Sequence, residues 1–502
     1  MKSNGAPIYV ENLFTDEQMK QFIERGYVVI KPDIPRSLHE SIYENVDNVV
    51  TVDGNPGNNL LARVPEIQEV INHPSVIGAL RSVLGPDYMM HPHRHPHVNL
   101  PGSIDGDWHQ DTYWGFVKPR SHRCWWAMVF YYPQNTSLDN GPTAVIPGSQ
   151  YKDSMIKELK TKGNPIMGEA GTIAILHYDL WHKSMANSSQ FNRYMLKFQF
   201  MRKKRPSNPS WNSKDIKCYG PMKTRVLNEN ELVCKHVWQW ASGGVQGENI
   251  SNPLNNNINL CLETIKNGVL DDKIQSINYV AALGDLGFRS IPTLIDLMNK
   301  KYSPANLSAA YALSAMGKAA IEPLISLLWT KNESARRLGS LGLIGIGPAA
   351  TRDVMKLLES KVPDIRALGC WILGEINAGD SSGLLSLLAD DQSVEVRRNA
   401  VEALGIIQTD NKNVIASLMK ALENDSDAQT RFTAALSLAR MPEKAGEAIP
   451  ALMKGLKDEN RYVRGYCVQA LRNIKTLEST NVLIEHLSTM RWCNSTNPKS
   501  TF

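Results

Sequence analysis

The stretch DLWHKSMANSSQFNR, residues 179–193, contains the pattern from which the fold can be inferred. In an extended strand His182 and Ser184 point to the same face, because side chains alternate along a strand with a period of two. Residues 187–189 favour a turn, and Arg193 follows eleven residues after His182. The stretch therefore predicts two neighbouring strands that bring an imidazole, a hydroxyl and a guanidinium group together.

Other short segments in the first 200 residues have the same β-rich character. They are separated by Gly, Pro, Asn or Asp, which favour turns. The predicted strands are residues 27–30, 127–132, 144–146, 172–176 and 194–201. A short amphipathic helix is predicted to begin at Thr15, since Thr15 and Gln18 have the spacing of a capping box. Short strands at this spacing favour an antiparallel sandwich or barrel.

After about residue 250 the sequence changes to a repeated helical pattern. An Ala-Leu-Gly motif, or a close variant of it, recurs, and a second apolar helix is predicted after each copy. The anchor leucines are Leu283, Leu313, Leu343, Leu373, Leu404, Leu438 and Leu471, at spacings of 30, 30, 30, 31, 34 and 33 residues. A fixed period of helix pairs predicts an α-solenoid, because each pair can bury its apolar face only against its neighbours.

The change of pattern sets the expected domain limits in a chain of 502 residues, which is too long for one typical core. We expect a β-rich domain at residues 1–210 and an interdomain segment with a linker at 211–259. A solenoid of about seven repeats should follow at residues 260–490, before a polar tail at 491–502.

Composition excludes several classes of protein. The formal net charge of +5 is small for this length, so a nucleic-acid-binding protein is not expected. Seven cysteines are scattered without a C-x-x-C spacing, which argues against a disulfide framework and a cysteine zinc site. The first residues lack a signal-peptide core, and no run of about 18 apolar residues occurs. We therefore expect a cytoplasmic protein without a membrane span.

Two His-x-Asp pairs occur, at residues 109–111 and 177–179, and such pairs are common by chance in a chain with twelve histidines. The first pair has a distant second histidine, His182, which is followed by Ser184 and by Arg193. The second pair has as partners only His182, which is close in sequence, and a later histidine without an arginine near eleven residues beyond it. The spacing therefore favours the first pair as part of a metal site.

Together, His109, Asp111 and His182 form a 2-His-1-carboxylate set, which leaves three positions open on Fe(II). A bidentate 2-oxoglutarate and O₂ can occupy these positions. The far carboxylate of 2-oxoglutarate then needs a cation, and the planar fork of Arg193 suits it. The pattern indicates an Fe(II)- and 2-oxoglutarate-dependent oxygenase, with ascorbate as a candidate reductant.

Four motifs in residues 12–205 resemble the phytanoyl-CoA dioxygenase family of 2-oxoglutarate oxygenases. They occur in the order of the family: the segment 15–29, the motif WHQD at 108–111, the segment 140–149 that contains NGP and IPGS, and the segment 171–193. The resemblance implies a multidomain α+β chain whose first domain is a double-stranded β-helix of the jelly-roll or cupin type.

The same resemblance implies roles for individual residues. Iron would be bound by His109, Asp111 and His182, and 2-oxoglutarate would be bound by Ser184, Arg193 and Trp125. Asp179 falls at a family position just before the last iron ligand, where a structural role is expected. The intact carboxylate of Asp111 favours hydroxylation over halogenation, since halogenases of this class replace it with Ala or Gly.

Residues 91–97, with the sequence HPHRHPH, would place four histidines on one face of an extended strand. A second metal site is one interpretation of this segment. The other is that one or two of these side chains line the substrate mouth, as the resemblance to the family implies. Candidate substrate contacts are therefore His97 and Asn99, together with Tyr113, which follows the first His-x-Asp pair.

The helical repeats resemble short HEAT-like repeats over roughly residues 270–490, and residues 391–405 show the V-R-x-x-A-x-x-A-L-G pattern best. This architecture implies a concave surface for a protein partner. The leading hypothesis is an enzyme that hydroxylates an organic small molecule and releases succinate and CO₂. The alternatives are a HEAT-repeat scaffold protein and a protein hydroxylase that recruits its substrate through the solenoid.

Overall fold

The computed structural model describes residues 12–113, 120–155, 163–216, 230–244, 258–300 and 303–489. These residues divide into two compact units. The N-terminal unit contains the described residues of 12–216 together with 237–244, and the C-terminal unit contains those of 230–236 and 258–489. The predicted polar tail at 491–502 and the stretch 252–257 of the predicted linker lie outside the described residues.

The described part of the N-terminal unit contains two antiparallel sheets. A five-stranded sheet has the order β1-β6-β3-β8-β2, and a three-stranded sheet has the order β5-β4-β7. The strands are β1 (Tyr27–Ile30), β2 (Met89–Asn99), β3 (Trp126–Tyr132), β4 (Thr143–Val145), β5 (Asn164–Pro165), β6 (Thr172–His177), β7 (His182–Ser184) and β8 (Arg193–Met201). All five strands predicted from the sequence are present, and each observed strand end lies within one residue of the predicted end.

The two sheets face each other, since the ring of Phe130 in β3 lies 5.5 Å from the ring of His182 in β7. Every residue of β3, β6 and β8 is buried, so these strands are covered on both faces. This arrangement is the sheet-rich fold that the resemblance implies, and the expected fold class is confirmed.

Strand β8 differs on its two faces. One face carries the apolar and aromatic residues Tyr194, Leu196, Phe198 and Phe200; the other carries Arg193, Met195, Lys197, Gln199 and Met201. Buried polar side chains are costly unless they have partners. The second face therefore marks the place in the unit where a binding site can be expected.

Helices flank these sheets in the N-terminal unit. Their bounds are Asp16–Arg25, Arg36–Asp53, Leu60–Arg63, Ile67–Ile71 and Pro74–Leu84. The first helix begins after Thr15, whose side chain accepts from the backbone of Gln18, while the side chain of Gln18 accepts from the backbone of Thr15. The predicted capping box is therefore confirmed. This helix ends at Gly26, which adopts a left-handed conformation with φ of 81°.

The C-terminal unit consists of packed helices. The helix Glu231–Ala241 has residues in both units. The other helices are Ile258–Asn267, Leu270–Ala282, Ile291–Asn299, Pro304–Ala315, Ile321–Leu328, Glu333–Ile346, Thr351–Met355, Pro363–Ile376, Ser382–Leu388, Val394–Ile407, Lys412–Asn424, Ala428–Arg440, Ile449–Gly455, Arg461–Ile474 and Leu477–Ser488. In the described parts of the chain, none of the helices combines the length and apolarity needed to span a bilayer.

The anchor leucines form the core of the repeats. Six of the seven are fully buried: Leu313, Leu343, Leu373, Leu404, Leu438 and Leu471. Leu283 follows the last residue of its helix and is only half-buried. The predicted all-helical repeat region is therefore confirmed.

Arginines at the position of the Val-Arg motif form ion pairs between successive repeats, and we call this series of three pairs the arginine ladder. Each guanidinium group donates through Nε and Nη2 to both carboxylate oxygens of an aspartate that precedes the next repeat. The pairs are Arg366–Asp391, Arg397–Asp425 and Arg431–Asp458, with Nε–Oδ2 distances of 2.8, 2.7 and 2.7 Å. Each aspartate also accepts from the backbone N–H two residues later, so the ladder fixes the loops as well as the register.

We predict that Arg397→Met lowers the urea midpoint of the helical circular dichroism signal in the full chain. The side chain of Asp425 is only 4% exposed and would lose its bidentate partner. The expected loss is roughly 2–4 kcal/mol, near the cost of removing one partner of a buried pair.

A matched control is Arg336→Met at the equivalent repeat position. Arg336 lies 3.5 Å from Asp364, whose side chain is 67% exposed. We expect a loss of less than about 1 kcal/mol there, because exposed pairs contribute little. Equal midpoint shifts for the two variants would contradict the structural role of the ladder.

Candidate metal centre

Three side chains from two segments that are distant in sequence meet at the start of β7. His182 is the first residue of β7, and the backbones of His109 and His182 exchange two hydrogen bonds of 3.0 Å. Asp111 lies two residues after His109. One ligand atom from each of His109, Asp111 and His182 lies within 4.8 Å of the others. In the described ranges, no other group of three His, Cys, Asp or Glu side chains has this spacing.

Both histidines are oriented by backbone carbonyls. His109 Nδ1 lies 3.0 Å from the carbonyl oxygen of Asp107, and His182 Nδ1 lies 2.9 Å from that of Leu180. In each case Nδ1–H donates to the carbonyl, so the lone pair of Nε2 is available to a metal. Burial lowers the pKa of His182 to about 4, although Asp111 opposes the shift. The neutral imidazole is the form that binds metals.

The two oxygens of Asp111 have different surroundings. Oδ1 lies 3.8 Å from His182 Nε2, whereas Oδ2 forms an ion pair with Lys197 and lies 3.4 Å from Gln199 Nε2. Burial by itself would raise the pKa of Asp111, but Lys197 and His182 hold it below its usual range. One carboxylate oxygen therefore faces the imidazoles while Lys197 and Gln199 hold the other.

Neither Lys197 nor Gln199 is among the residues expected from the sequence. The signal that could have found them is the alternation of polar residues within the otherwise apolar strand β8. Both side chains are 3% exposed and belong to the face of β8 that also carries Arg193.

Arg193 is 2% exposed and only partly satisfied by hydrogen bonds. Its Nε donates to the carbonyl oxygen of Gly141 over 2.8 Å, and its Nη2 has no hydrogen-bond partner within the described residues. Burial lowers the pKa of Arg193. A buried cationic donor without a partner is costly. An anionic ligand that accepts from Nη2 would remove this cost.

Gly141, in the NGP motif of the segment 140–149, holds Arg193 in place. Its carbonyl oxygen accepts from Arg193 Nε and from Asn99 Nδ2, which lies 3.0 Å away. Gly141 has φ of +70°, and a Cβ atom there would overlap Asn99 Nδ2 and the carbonyl oxygen of Met185. Asn99 also donates to Met185, so its amide connects β2 to the loops around the site.

Ser184 ends β7, on the same strand face as His182. Its carbonyl oxygen accepts from the backbone of Gly106 over 2.9 Å, which continues the pairing that begins at His109. Within the described residues no hydrogen bond joins Ser184 to Arg193. The structure therefore places Ser184 near the candidate metal ligands without showing a contact to the arginine.

Of the predicted substrate residues, His97 is the one beside the centre. In the strand register His97 is opposite Met195, and His95 is opposite Lys197. Burial, followed by the charge of Lys197, holds the pKa of His97 well below its usual value. The buried Nε2 of His97 has no hydrogen-bond partner in the described parts of the chain.

The side chains of residues 91, 93, 95 and 97 form a row along β2. Successive ring centroids are 6.4, 5.8 and 5.2 Å apart, and the rings of His93 and His95 are stacked. Among the described residues, this row does not form a cluster with metal-ligand spacing. It thus gives no support to a preformed second metal site.

Asp179 of the second His-x-Asp pair helps to hold the segment of the first pair in position. Asp179 is 1% exposed and forms an ion pair with Arg120, whose Nη2 donates to the backbone oxygen of Asp111 over 2.8 Å. The hydroxyl of Tyr113 lies 3.2 Å from Asp179 Oδ1. Gln110 Nε2 donates to the backbone oxygen of Asp179. Asp179 therefore anchors the segment that carries two of the three candidate ligands, and Tyr113 is part of the same anchor.

Trp125 and Arg193 lie at opposite ends of the five-stranded sheet. Trp126 is opposite Met201, the last residue of β8, whereas Arg193 is the first residue of that strand. At about 3.3 Å per residue the ends of β8 are roughly 26 Å apart. The ring of Trp125 packs 5.5 Å from that of Trp240. The structure therefore does not bring Trp125 together with the other predicted cosubstrate residues.

Comparisons with known proteins agree with the two-part organisation. Residues 2–195 match the family model described as Phytanoyl-CoA dioxygenase (PhyH). Residues 351–439 and 415–491 match the model of HEAT repeats. None of the curated proteins compared with the sequence matches it.

Several solved structures are similar to part of the chain. One is the "non-heme alpha ketoglutarate dependent carbocyclase SnoK from nogalamycin biosynthesis", which has 17% identity, a TM-score of 0.33 and coverage of 40% of this chain and 88% of that chain. Another is the apo form of EctD from S. alaskensis, with 16% identity, a TM-score of 0.34 and coverage of 40% and 82%.

A third similar structure is a nickel complex of the non-heme monooxygenase ThoJ, with 16% identity, a TM-score of 0.31 and coverage of 38% and 81%. Identities and scores at this level are low, so the assignment rests on the family models. Residues 2–195 of this chain therefore form a phytanoyl-CoA dioxygenase family domain of the oxygenase superfamily, and HEAT repeats follow it in the same chain.

Proposed function

We propose that the N-terminal unit is an Fe(II)- and 2-oxoglutarate-dependent dioxygenase that hydroxylates an organic small molecule and releases succinate and CO₂. The observation that carries the proposal is the unpartnered Nη2 of buried Arg193, on the strand face whose Lys197 contacts Asp111. A metal cluster by itself would fit several metal enzymes. A buried arginine beside it, with one donor free, is what a dicarboxylate cosubstrate needs.

The donor set supports iron. Two imidazole Nε2 atoms, oriented by their own backbone carbonyls, and one carboxylate oxygen form the 2-His-1-carboxylate set that leaves positions open on non-haem Fe(II). We propose His109, Asp111 and His182 as the ligands. Because Lys197 and Gln199 hold Asp111 Oδ2, we expect the carboxylate to bind the metal through Oδ1.

Lys197 is the fourth residue after Arg193 in β8, so their backbones are roughly 13 Å apart along the strand at about 3.3 Å per residue. The long arginine side chain and a five-carbon diacid can bridge a separation of this size. We propose that Arg193 pairs with the far carboxylate of 2-oxoglutarate and that Ser184 assists it. We leave Trp125 out of the cosubstrate site because of its position at the other end of the sheet.

Iron and 2-oxoglutarate, when bound, would supply the oxidising chemistry, in which 2-oxoglutarate and O₂ are consumed. The chain orients and shields these groups. The carbonyls of Asp107 and Leu180 set the tautomers of the two histidines, and Gly141 directs Arg193. Phe130 packs against His182 and helps to exclude water from the centre.

A protein hydroxylase is the second candidate, because the HEAT repeats provide an extended surface that could recruit a protein substrate. The two candidates differ in which fraction of a cell extract stimulates succinate release by the full chain. Stimulation by a small-molecule filtrate supports the first candidate. Stimulation only by the protein fraction supports the second.

The described cysteines support a reducing compartment such as the cytoplasm, which we propose as the location. Cys124, Cys261, Cys370 and Cys467 are all buried, and none of these four forms a disulfide within the described residues. Burial raises the pKa of the Cys124 thiol to about 12, so it is held as an unreactive thiol.

Asp111→Asn and Asp179→Asn are expected to distinguish the roles of the two His-x-Asp pairs. Asp111→Asn should weaken Mn(II) binding, read by electron paramagnetic resonance, by more than about 100-fold, since a ligand is lost. Asp179→Asn should mainly lower the thermal midpoint, because it removes the carboxylate that pairs with Arg120. If both variants lost Mn(II) equally and neither lost thermal stability, the assignment of the ligand would be wrong.

Arg193→Met is expected to weaken 2-oxoglutarate binding by about 100-fold, the combined effect of a charge and its hydrogen bonds. Calorimetry on the Mn(II)-loaded full chain would measure this loss, and Mn(II) affinity should not change. Ser184→Ala is the matched comparison and should lose only a few-fold, since a single neutral hydrogen bond is weaker. Unchanged 2-oxoglutarate affinity in Arg193→Met would refute the proposed cosubstrate site.

Gly141→Ala should weaken 2-oxoglutarate binding, although no group proposed to contact 2-oxoglutarate is replaced. A Cβ atom at this position overlaps Asn99, so the carbonyl that accepts from Arg193 must move. We expect roughly a tenfold loss, the equivalent of about one hydrogen bond. Gly102→Ala, at a positive-φ position with open space around it, is the control for backbone strain. Similar losses in both variants would show that the role of Gly141 is not specific.

A further inference from the structure

The sheet face beside Asp111 contains polar atoms that the proposed iron and 2-oxoglutarate site does not use. Gln199 is 3% exposed, and its Oε1 is buried without a hydrogen-bond partner, while its Nε2 faces Asp111 Oδ2. His97 Nε2 is also buried without a partner in the described residues. Lys197, between them, has three N–H donors and contacts Asp111.

The strand register brings these groups to one surface. Side chains of β8 alternate, so Lys197 and Gln199 lie on the same face. His97 of β2 is opposite Met195, which makes it the diagonal neighbour of Lys197, within about 7–8 Å. A cation, an amide oxygen and an imidazole nitrogen therefore line one patch next to the candidate metal.

The charges at the centre leave this patch positive. With both groups bound, divalent iron, Lys197 and Arg193 carry four positive charges, whereas Asp111 and 2-oxoglutarate carry three negative ones. The nearby Arg120 is paired with Asp179 and adds no net charge. A buried charge without compensation is costly, so the patch favours a ligand with one negative charge.

We propose that Lys197, Gln199 and His97 form a substrate subsite for a small hydroxycarboxylic acid. The carboxylate of the ligand accepts from Lys197, and its hydroxyl group donates to Gln199 Oε1. His97 Nε2, in the tautomer that carries hydrogen on this atom, donates a second hydrogen bond to the carboxylate. This inference rests on the proposed iron and 2-oxoglutarate site and names the chemical class of its substrate.

Three small probes distinguish the contribution of the carboxylate from that of the hydrogen-bond donor. Glycolate has both the carboxylate and the donor, acetate has only the carboxylate, and glycolamide has the donor without the charge. Each is titrated into the full chain loaded with Mn(II) and saturating 2-oxoglutarate, and line broadening of its protons by Mn(II) is read by NMR. The Asp111→Asn protein, which should not hold the metal, provides the background.

We expect glycolate to bind best, acetate less well, and glycolamide roughly tenfold more weakly than glycolate, because a hydrogen bond to a charged group is lost. Lys197→Met should reduce glycolate binding to the level of glycolamide. Gln199→Leu should reduce it to the level of acetate.

The outcomes distinguish this inference from the proposed function. A wild-type chain that binds neither Mn(II) nor 2-oxoglutarate contradicts both. A chain that binds both but does not prefer glycolate over glycolamide contradicts the subsite alone. Loss of 2-oxoglutarate affinity in Lys197→Met, with glycolate binding unchanged in Gln199→Leu, assigns Lys197 to the cosubstrate and overturns the inference. If Lys197→Met no longer binds Mn(II), that variant cannot test the subsite. The subsite is then tested by the preference of the wild-type chain for glycolate over glycolamide and by the glycolate affinity of Gln199→Leu.

Discussion

The site depends on the pair of backbone hydrogen bonds between His109 and His182. They join a segment outside the named strands to β7, and so bring together candidate ligands that are 73 residues apart in sequence. The carbonyls of Asp107 and Leu180 then orient the two rings. Because backbone groups do this work, the geometry of the candidate ligands is largely set before any metal binds.

The polar interior of the N-terminal unit is tolerated because the carboxylates around the candidate metal centre have specific cationic partners. Asp111 pairs with Lys197, and Asp179 pairs with Arg120. Arg193 has one donor, Nη2, unsatisfied in the described residues, on the same strand face as Lys197. Burial of an incompletely satisfied charge costs free energy of folding. Such a cost is expected at a site where a ligand completes the set of interactions.

The C-terminal unit uses charge in a different way. Its arginine ladder links the last four repeats through three bidentate pairs, and the anchor leucines fill the spaces between helices. These contacts explain why the Val-Arg and Ala-Leu-Gly motifs recur at a nearly fixed period. They are structural, so any partner would be recognised by other residues of the repeats.

The sequence by itself determined the fold class, the strands and the repeats, because alternation and helical period are local properties of the chain. It also singled out His109, Asp111, His182 and Arg193 through their spacing. Only the tertiary structure placed Lys197 and Gln199 against Asp111, separated Trp125 from Arg193, and showed that Asp179 anchors the neighbouring segment. Those relations depend on sheet register and on contacts between segments that are far apart in sequence, which local patterns do not encode.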